Sequence, residues 1–436
     1  MKRIIILGAA GRDFHNFNTI YKNNKDYQVI CFTATQIPGI ESRKYPKVLS
    51  GKRYSKGIPI YSEKQLEALI KKHKIDECVL SYSDLSYDQV MHLAARVNSA
   101  GSDFKMLSAE ETMIKSKKPI IAVCAVRTGC GKSQTTRYIA DILRKKGKKV
   151  VIVRHPMPYG DLSKQIVQRF STLKDLDKHK TTIEEREEYE QHIKNGLIVY
   201  AGVDYEKILK CAEKEADVII WDGGNNDTPF YKPDLMFTIA DALRPNHEKK
   251  FYPGEINFKI ADAIIINKEN SANKRDINII VRNANEMNPK AKIIHADSII
   301  NLGKNANKIK NKRILIIEDG PTLTHGGMTF GAGYTAAIKY SPKIINVKKY
   351  IFGEIKQTFE KYTHLNGQIL PAMGYSKKQI KELEIIINKS KPEYIIAGTP
   401  IDLTSVIRTK VPILQAKYEL KEKNKLISIL LLKKVK

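Results

Sequence analysis

Short apolar runs rich in Ile and Val alternate along the chain with amphipathic, charged segments of helical period. This alternation is typical of α/β proteins, in which helices join parallel strands. A basic linker, KSKKP, follows the first series of strands, and a third series begins near residue 311. We therefore predict a Rossmann-like unit over 1–115, a central unit over 118–310, and a smaller α/β unit over 311–436 that completes the active site.

The segment IIAVCAVRTGCGKSQTTRYIADIL, which starts at residue 120, predicts a buried strand, a glycine-containing turn and an amphipathic helix. In this order of elements, Gly-Lys-Ser forms a phosphate-binding P-loop. Gly129 and Gly131 would let backbone N–H groups converge on phosphate oxygens. Lys132 would reach the β and γ phosphates, and Ser133 would offer its hydroxyl to Mg²⁺. The usual first glycine is replaced by Val126. We predict a P-loop NTPase core that binds nucleotide through Arg127, Thr128, Gly129, Cys130, Gly131, Lys132, Ser133 and Gln134.

A second predicted strand of the central unit, ADVIIW, ends in Asp222 and two glycines. A carboxylate at the end of a strand near a P-loop orients Mg²⁺, either directly or through water. An ordinary Asp-Gly turn is the alternative for this segment taken alone. We predict Asp222 as a catalytic and metal-binding residue, and expect the residues just beyond it to contact the substrate: Asn225, Asn226 and Asp227.

A third strand of this unit, ADAIIINKEN, ends in Asn267 and Lys268, which resemble the start of the N-K-x-D motif that selects guanine. The last position of that motif is Asn270 here, and an amide offers one good acceptor where guanine presents two donors. We predict that Asn267 and Lys268 contact the base. Either ATP or GTP is compatible with this pattern, with Mg²⁺ as the cofactor.

Six further strings occur in the order found in one known group: HPMPYGDL from 155, VYAGVDYE from 199, WDGGNND from 221, RPNHEKKFYPGE from 244, EDGPTLTHGGMTFGAG from 318 and AGTPIDL from 397. The chain thereby resembles the predicted P-loop GTPases grouped with cyclic 2,3-diphosphoglycerate synthetase. The resemblance implies an NTP-dependent synthetase that closes an intramolecular phosphoanhydride in 2,3-bisphosphoglycerate. The alternative is a regulatory or chaperone-type switch that acts on a protein partner.

A bisphosphorylated acid carries several negative charges, so its binding requires basic groups beside the P-loop. Arg154 and His155 follow a predicted strand, and Arg244 and His247 lie in a dense polar loop, although solvated loops are the simpler alternative for each. We predict Arg154, His155 and Arg244 as catalytic and His247 as substrate-binding. The resemblance adds Glu318 as a metal ligand. It also extends the substrate site to a glycine-rich loop that contains Thr324, His325, Gly326 and Gly327.

The net charge of +28 suggests that the protein binds nucleic acid, but the lysines are scattered and are not interleaved with aromatic residues. We predict an anionic small-molecule substrate and no nucleic acid or membrane partner; a homodimer is also compatible. The five cysteines form no metal-binding spacing, which favours a reduced, cytoplasmic setting. In the N-terminal unit, G-x-x-G without an acid at the end of the second strand predicts phosphate or substrate binding rather than a dinucleotide.

Overall fold

The computed structural model describes residues 1–35, 40–155, 160–224, 227–324, 326–372 and 376–435. These residues form three large sheets and one two-stranded sheet, and most neighbouring strands of the large sheets run parallel. Helices connect successive strands, as hydrophobic runs separated by amphipathic segments require. The predicted α/β fold is confirmed.

The N-terminal sheet has six strands, with the first strand of the chain near its centre. A further short strand, β6, is not part of this sheet and pairs antiparallel with residues 251–252. The strands of this unit are β1 (Lys2–Leu7), β2 (Tyr27–Ala34), β3 (Lys44–Tyr45), β4 (Ile58–Ser62), β5 (Glu77–Leu80), β6 (Leu85–Ser86) and β7 (Asp103–Met106). They lie in the order β3-β4-β2-β1-β5-β7.

The central sheet surrounds the P-loop strand, β8, which is buried along its full length. Its strands read as continuous apolar runs because helices cover both faces of a parallel sheet. The strands of this part of the chain are β8 (Ile120–Ala125), β9 (Val150–Arg154), β10 (Gln168–Phe170), β11 (Ile198–Ala201), β12 (Val218–Trp221), β13 (Leu235–Asp241), β14 (Phe251–Tyr252), β15 (Ala263–Asn267) and β16 (Lys292–Asn301). β8 pairs with β12 and β13, whereas β14 lies outside this sheet and pairs with β6.

The third sheet is smaller and is built on one long strand, β17, with parallel neighbours. The last strands of the chain are β17 (Arg313–Asp319), β18 (Lys343–Ile344), β19 (Leu370–Ala372), β20 (Tyr394–Gly398), β21 (Ile413–Gln415) and β22 (Lys417–Glu422). Of these, β22 does not belong to the third sheet.

Several helices begin at polar caps that are present in the sequence. Ser86, Thr182 and Ser376 each accept a hydrogen bond from the backbone N–H three residues on, within capping boxes. The helices are α1 (Arg12–Asn16), α2 (Lys47–Ser50), α3 (Leu66–His73), α4 (Tyr87–Ser99), α5 (Lys132–Lys145), α6 (Leu173–Lys178), α7 (Ile183–Lys194), α8 (Tyr205–Ala212), α9 (Gly254–Ile260), α10 (Lys274–Met287), α11 (Gly320–Leu323), α12 (Ala332–Ala337), α13 (Gly353–Lys361), α14 (Lys377–Ser390) and α15 (Leu426–Lys434).

The C-terminal segment returns to the central unit. β22 pairs antiparallel with β16, and Ile427 and Leu431 of α15 pack into the same hydrophobic core as the P-loop strand. The predicted third unit, 311–436, therefore does not stay together, since its last strand and helix complete the central sheet. No local pattern predicts this pairing, because it joins residues far apart in the chain. Within the residues described, no helix combines the length and apolar character that a membrane crossing requires.

Candidate nucleotide-binding active site

The loop between β8 and α5 has the backbone of a phosphate cradle. Gly129 has φ +82° and Gly131 has φ +108°, backbone conformations that residues other than glycine rarely adopt. Helix α5 begins directly after Gly131, at Lys132, so its N-terminal N–H groups point out of the loop. The predicted strand, glycine loop and helix are all present in this order.

Asp222 lies at the end of β12, the strand next to β8, and is fully buried. Its Oδ1 accepts hydrogen bonds from Lys132 Nζ and Thr136 Oγ1, both at 2.9 Å. Its Oδ2 accepts from Arg154 Nη1 at 2.6 Å and faces His192 Nε2 at 3.1 Å. Burial alone would raise the pKa of Asp222, but the charges of Arg154 and Lys132 hold it well below its usual range. The structure thus brings three residues predicted as catalytic into one network.

Arg244 braces the P-loop from behind. Its guanidinium donates to the carbonyl of Thr128 at 2.9 Å and to the carbonyl of Gly326 at 2.7 Å. Asp241, at the end of β13, pairs with the same guanidinium at 2.8 Å. Arg244 is buried and joins the two loops, and its predicted catalytic role stays a prediction.

Asn267 and Lys268 also contact the P-loop backbone. Asn267 Nδ2 donates to the carbonyl of Cys130 at 2.8 Å, and Lys268 Nζ donates to the carbonyl of Gly129 at 2.7 Å. Asn270, at the motif's last position, pairs with the backbone of Ser298 through both its amide nitrogen and its oxygen, at 3.0 Å each. The predicted base contact of Asn267 and Lys268 stays a prediction.

Arg127 turns toward the N-terminal unit. Its Nε lies 2.9 Å from Asp84 Oδ1, and its guanidinium covers the ring of Phe251 at 3.6 Å. Thr128 Oγ1 donates to the other oxygen of Asp84 at 3.0 Å. Asp84 follows the end of β5 and directly precedes β6, which pairs with β14. The first residues of the P-loop are therefore tied to the N-terminal unit.

One cavity of about 1210 Å³ lies where the three units meet. Most of the predicted site residues line it: Arg127, Thr128, Gly129, Gly131, Lys132, Ser133, Gln134, Arg154, His155, Asp227, Lys268, Glu318 and Thr324. The other described ones are not among the residues that line it: Cys130, Asp222, Arg244, His247, Asn267, Gly326 and Gly327. The predicted substrate residues Asn225, Asn226 and His325 fall outside the described part of the chain.

The side chains that line the cavity include more acidic than basic groups, whereas the chain as a whole is basic. Among the described residues that line it, nine carry carboxylates and six carry lysine or arginine side chains, although the whole chain has a net charge of +28. Five of the carboxylates come from α7 and from the end of β17. We call them the acidic wall: Glu184, Glu187, Glu188, Glu318 and Asp319.

The members of the acidic wall affect one another's ionisation. Burial, followed by the charge of Asp319, raises the pKa of Glu187 well above its ordinary value. Burial likewise raises the pKa of Asp319. Glu188 pairs with Arg154 at 2.6 Å, which connects the wall to the Asp222 network. A cation placed here would relieve the repulsion between these carboxylates.

Glu318, predicted as a metal ligand, is engaged by backbone groups. Its oxygens accept from the N–H of Tyr334 at 2.6 Å and of Gly333 at 3.2 Å, at the start of α12. A Cβ on Gly398 would collide with the same carboxylate, so the glycine leaves room for it. Burial raises the pKa of Glu318 to about 7. The metal role of Glu318 stays a prediction, and the local geometry is that of a buried helix cap.

The chemistry of the donors fits Mg²⁺ bound together with nucleotide phosphates. Among the described residues, no three His, Cys, Asp or Glu side chains gather as a metal-binding group. A P-loop needs no such cluster, because phosphate oxygens, one hydroxyl and water supply most ligands. Ser133 lines the cavity beside Lys132 and would give the hydroxyl, with Asp222 behind it.

The wall residues on α7 and Asp84 were not predicted from the sequence. The available signal was the spacing Glu184, Glu187, Glu188 after the capping Thr182, which places three carboxylates on one helix face. Asp84 had a signal too, since it follows a predicted strand at the end where parallel sheets carry their active sites.

A parallel sheet, a glycine loop that opens a helix, and a buried Lys–Asp pair beside the loop define a P-loop nucleotide-binding protein. No family model matches the chain. The arginine synthetase ArcE of Thermococcus kodakarensis is 57% identical over 422 residues, which cover 97% of this chain and 94% of that protein. The chain therefore belongs to the arginine synthetase ArcE family, and it is a P-loop enzyme of the synthetase class.

Solved structures resemble the chain only weakly. LpxK from Aquifex aeolicus in complex with ATP is 14% identical, with a TM-score of 0.44 over 80% of this chain and 96% of its own. A ParA family ATPase from Chlorobium tepidum is 15% identical, with a TM-score of 0.26 over 41% of this chain and 84% of its own.

Proposed function

We propose that this protein is an ATP-dependent arginine synthetase. The relative that is 57% identical carries that activity in its name, and the identity extends over 97% of this chain. The substrate we propose is citrulline, the ureido analogue of arginine in which oxygen replaces one guanidinium nitrogen. Ammonium supplies the nitrogen.

The acidic wall is the observation that carries this proposal. Glu184, Glu187 and Glu188 of α7 line the same cavity as Lys132, and Glu188 pairs with Arg154. Carboxylates favour an amino acid with an ammonium group and a product with a guanidinium, because opposite charges attract at short range. They disfavour a bisphosphorylated acid. The cavity, about 1210 Å³, has room for a nucleotide and a second substrate.

The chemistry needs a good leaving group on the ureido carbon. The ureido oxygen attacks the γ phosphorus of ATP, the bond to the β-γ bridging oxygen breaks, and ADP leaves. The lone pair of ammonia then forms the new C–N bond, and the C–O bond breaks as phosphate departs with one of the ammonia protons. Lys132 would neutralise charge on the transferred phosphoryl group, and Mg²⁺ would be held by Ser133 and the phosphates.

ATP is favoured over GTP by the position of Asn270. Its amide is hydrogen-bonded to the backbone of Ser298 on both sides, so it offers no free acceptor pair for guanine. The experiment compares ATP and GTP in the presence of Mg²⁺, citrulline and ammonium, and measures arginine by mass spectrometry. We expect arginine with ATP and little with GTP.

A parallel reaction replaces citrulline and ammonium by 2,3-bisphosphoglycerate, with phosphorus NMR of the products. Cyclic 2,3-diphosphoglycerate in that reaction, without arginine in the first, would support the finer prediction from the sequence and overturn the arginine proposal. A matched variant, Glu187→Gln, replaces one carboxyl group of the wall by an amide of the same size. We expect a raised KM for citrulline with an unchanged KM for ATP.

A further inference from the structure

The first residues of the P-loop, 126–128, are held by segments outside the loop. Val126 stands where a P-loop usually has its first glycine, and it is buried. The start of α9 packs closely against it, since a Cβ on Gly254 would lie 2.2 Å from the Val126 carbonyl oxygen. Thr128 Oγ1 donates a hydrogen bond to Asp84 Oδ2 at 3.0 Å. The shape of this half of the loop therefore depends on contacts with other parts of the chain.

Asp84, the contact from the N-terminal unit, has an unusual backbone conformation. Its φ is +65°, in the left-handed region that residues other than glycine seldom adopt. Its N–H donates to the carbonyl of Tyr252 at 2.9 Å, and the strand that follows it, β6, pairs with β14. Such conformations persist where the surrounding contacts fix them, and they cluster at functional sites. The pairing of β6 with β14 thus fixes the Asp84 carboxylate at the P-loop.

Asp84 and Arg127 form a buried ion pair at the cavity. Their side chains are 5% and 7% exposed, and Arg127 Nε lies 2.9 Å from Asp84 Oδ1. The Arg127 guanidinium also covers the ring of Phe251, the first residue of β14, at 3.6 Å from the ring centre. Burial lowers the pKa of Arg127, and the charge of Asp84 opposes this effect. Asp84 therefore supplies the anion that a buried arginine requires, and Phe251 holds the plane of the guanidinium.

This pair lies beside the residues that would bind phosphate. Arg127, Thr128 and Lys132 line the same cavity. A P-loop binds phosphate largely through converging backbone N–H groups, so a small displacement of its backbone weakens several hydrogen bonds together. Asp84 holds two consecutive residues of this loop, one through its charge and the other through its hydroxyl.

We propose that Asp84 is a positioning residue of the nucleotide site, which holds Arg127 and Thr128 in the geometry that binds phosphate. Nucleotide affinity then depends on the N-terminal unit, although the phosphate-binding loop belongs to the central unit. This role requires only that the P-loop bind a nucleotide, and it goes beyond the proposed arginine synthesis.

The test measures the Kd of a non-hydrolysable ATP analogue, with Mg²⁺, by isothermal titration calorimetry. Asp84→Asn keeps the size of the side chain but leaves the buried Arg127 without its anion. We expect the Kd of this variant to rise by about tenfold or more, the effect of losing one charged hydrogen bond.

A double-mutant cycle with Arg127→Gln shows whether the effect of Asp84 passes through Arg127. Arg127→Gln alone should weaken binding, because it leaves the Asp84 carboxylate without its cation beside the bound phosphates. When Asp84→Asn is added to Arg127→Gln, the Kd should stay the same or fall. Two independent effects would instead multiply.

Phe251→Leu tests the same route from outside the cavity. Phe251 is not among the residues that line the cavity, and its ring packs on Arg127. We expect its Kd to rise by about threefold to tenfold, as loss of a desolvated cation–π contact implies. This variant decides the matter if Asp84→Asn does not fold, as judged by its thermal midpoint. The matched control, Asp88→Asn, removes an exposed carboxylate on α4 of the same unit and should leave the Kd unchanged.

The outcomes separate the role of Asp84 from the proposed function. A folded Asp84→Asn variant with the wild-type Kd, or a cycle in which the two effects multiply, overturns this role and leaves arginine synthesis standing. An unchanged Kd in Phe251→Leu does so where that variant has to decide. A wild type that binds neither the ATP analogue nor the matching GTP analogue contradicts nucleotide binding, and the role of Asp84 with it. Arginine formation is not measured in this test, so failure of the proposed function leaves its result intact.

Discussion

Lys132 Nζ lies 2.9 Å from Asp222 Oδ1, so the first residue of α5 is joined to the end of the neighbouring strand β12. The same aspartate also holds Arg154, whose other nitrogen reaches Glu188. One buried carboxylate thus connects the phosphate-binding loop with the acidic wall.

The first prediction concerns Lys132. Lys132→Ala removes the cation that would meet the transferred phosphoryl group, and we expect nucleotide turnover to fall by at least about 100-fold. Asp222 keeps Arg154 as a partner in this variant, so the fold should persist. Turnover assays combined with circular dichroism check this. Near-normal turnover in a folded variant would exclude the P-loop role.

The second prediction concerns stability. Asp222→Ala leaves the buried side chains of Lys132 and Arg154 without their shared anion. Removal of one partner from a buried ion pair costs about 3–5 kcal/mol, so we expect a loss of that size in the free energy of unfolding. Urea denaturation measures it. Asp88→Asn, on the surface, is the control and should stay within about 0.5 kcal/mol of the wild type.

The third prediction concerns the brace behind the P-loop. Arg244→Lys keeps the charge but cannot reach the carbonyls of Thr128 and Gly326 together, because lysine lacks the planar fork. Loss of one such charged hydrogen bond weakens nucleotide binding by about tenfold or more. Isothermal titration with a non-hydrolysable nucleotide tests this. Unchanged affinity would mean that the loop holds its shape without Arg244.

The fourth prediction concerns pH. The pKa of Glu318 is raised to about 7 in the folded protein by burial, so the folded state holds this proton more tightly than the unfolded chain does. The contribution of protonated Glu318 to the free energy of unfolding is therefore fully present below the ordinary glutamate pKa, and it is lost as the pH rises toward 7. Glu318→Gln cannot titrate. Relative to this variant, the wild type should lose stability between about pH 4.5 and 8, as measured by thermal unfolding in a pH series.

The sequence predicted those parts of the site that are local in the chain. Gly129, Gly131, Lys132 and Ser133 are consecutive or nearly so, and Asp222 ends an obvious apolar strand. Strand ends of a parallel sheet share one edge, so their meeting follows from the fold class alone. The α/β architecture was predictable for the same reason, from the repeated apolar runs.

The parts that were missed depend on long-range packing. The sequence predicted a basic pocket for a phosphorylated acid. The acidic wall was not predicted, because it depends on Glu184, Glu187 and Glu188 of α7 lining the cavity. A charged helix face in a sequence is usually solvated. Here α7 is held at the cavity by long-range contacts, such as the hydrogen bond from Thr399 Oγ1, just beyond β20, to Glu187 at 2.9 Å. The tie between Arg127 and Asp84 likewise joins two units and leaves no local pattern.

The antiparallel pairing of β16 and β22 makes the C-terminal unit an insertion within the central one. Asn301 and Lys417 face each other in register, so the chain leaves and re-enters the central sheet at a single point. A short turn that joined these two residues would excise everything between them and leave the sheet continuous. Because β17 lies in that insertion and α7 does not, the inserted segment and the central unit each supply part of the acidic wall.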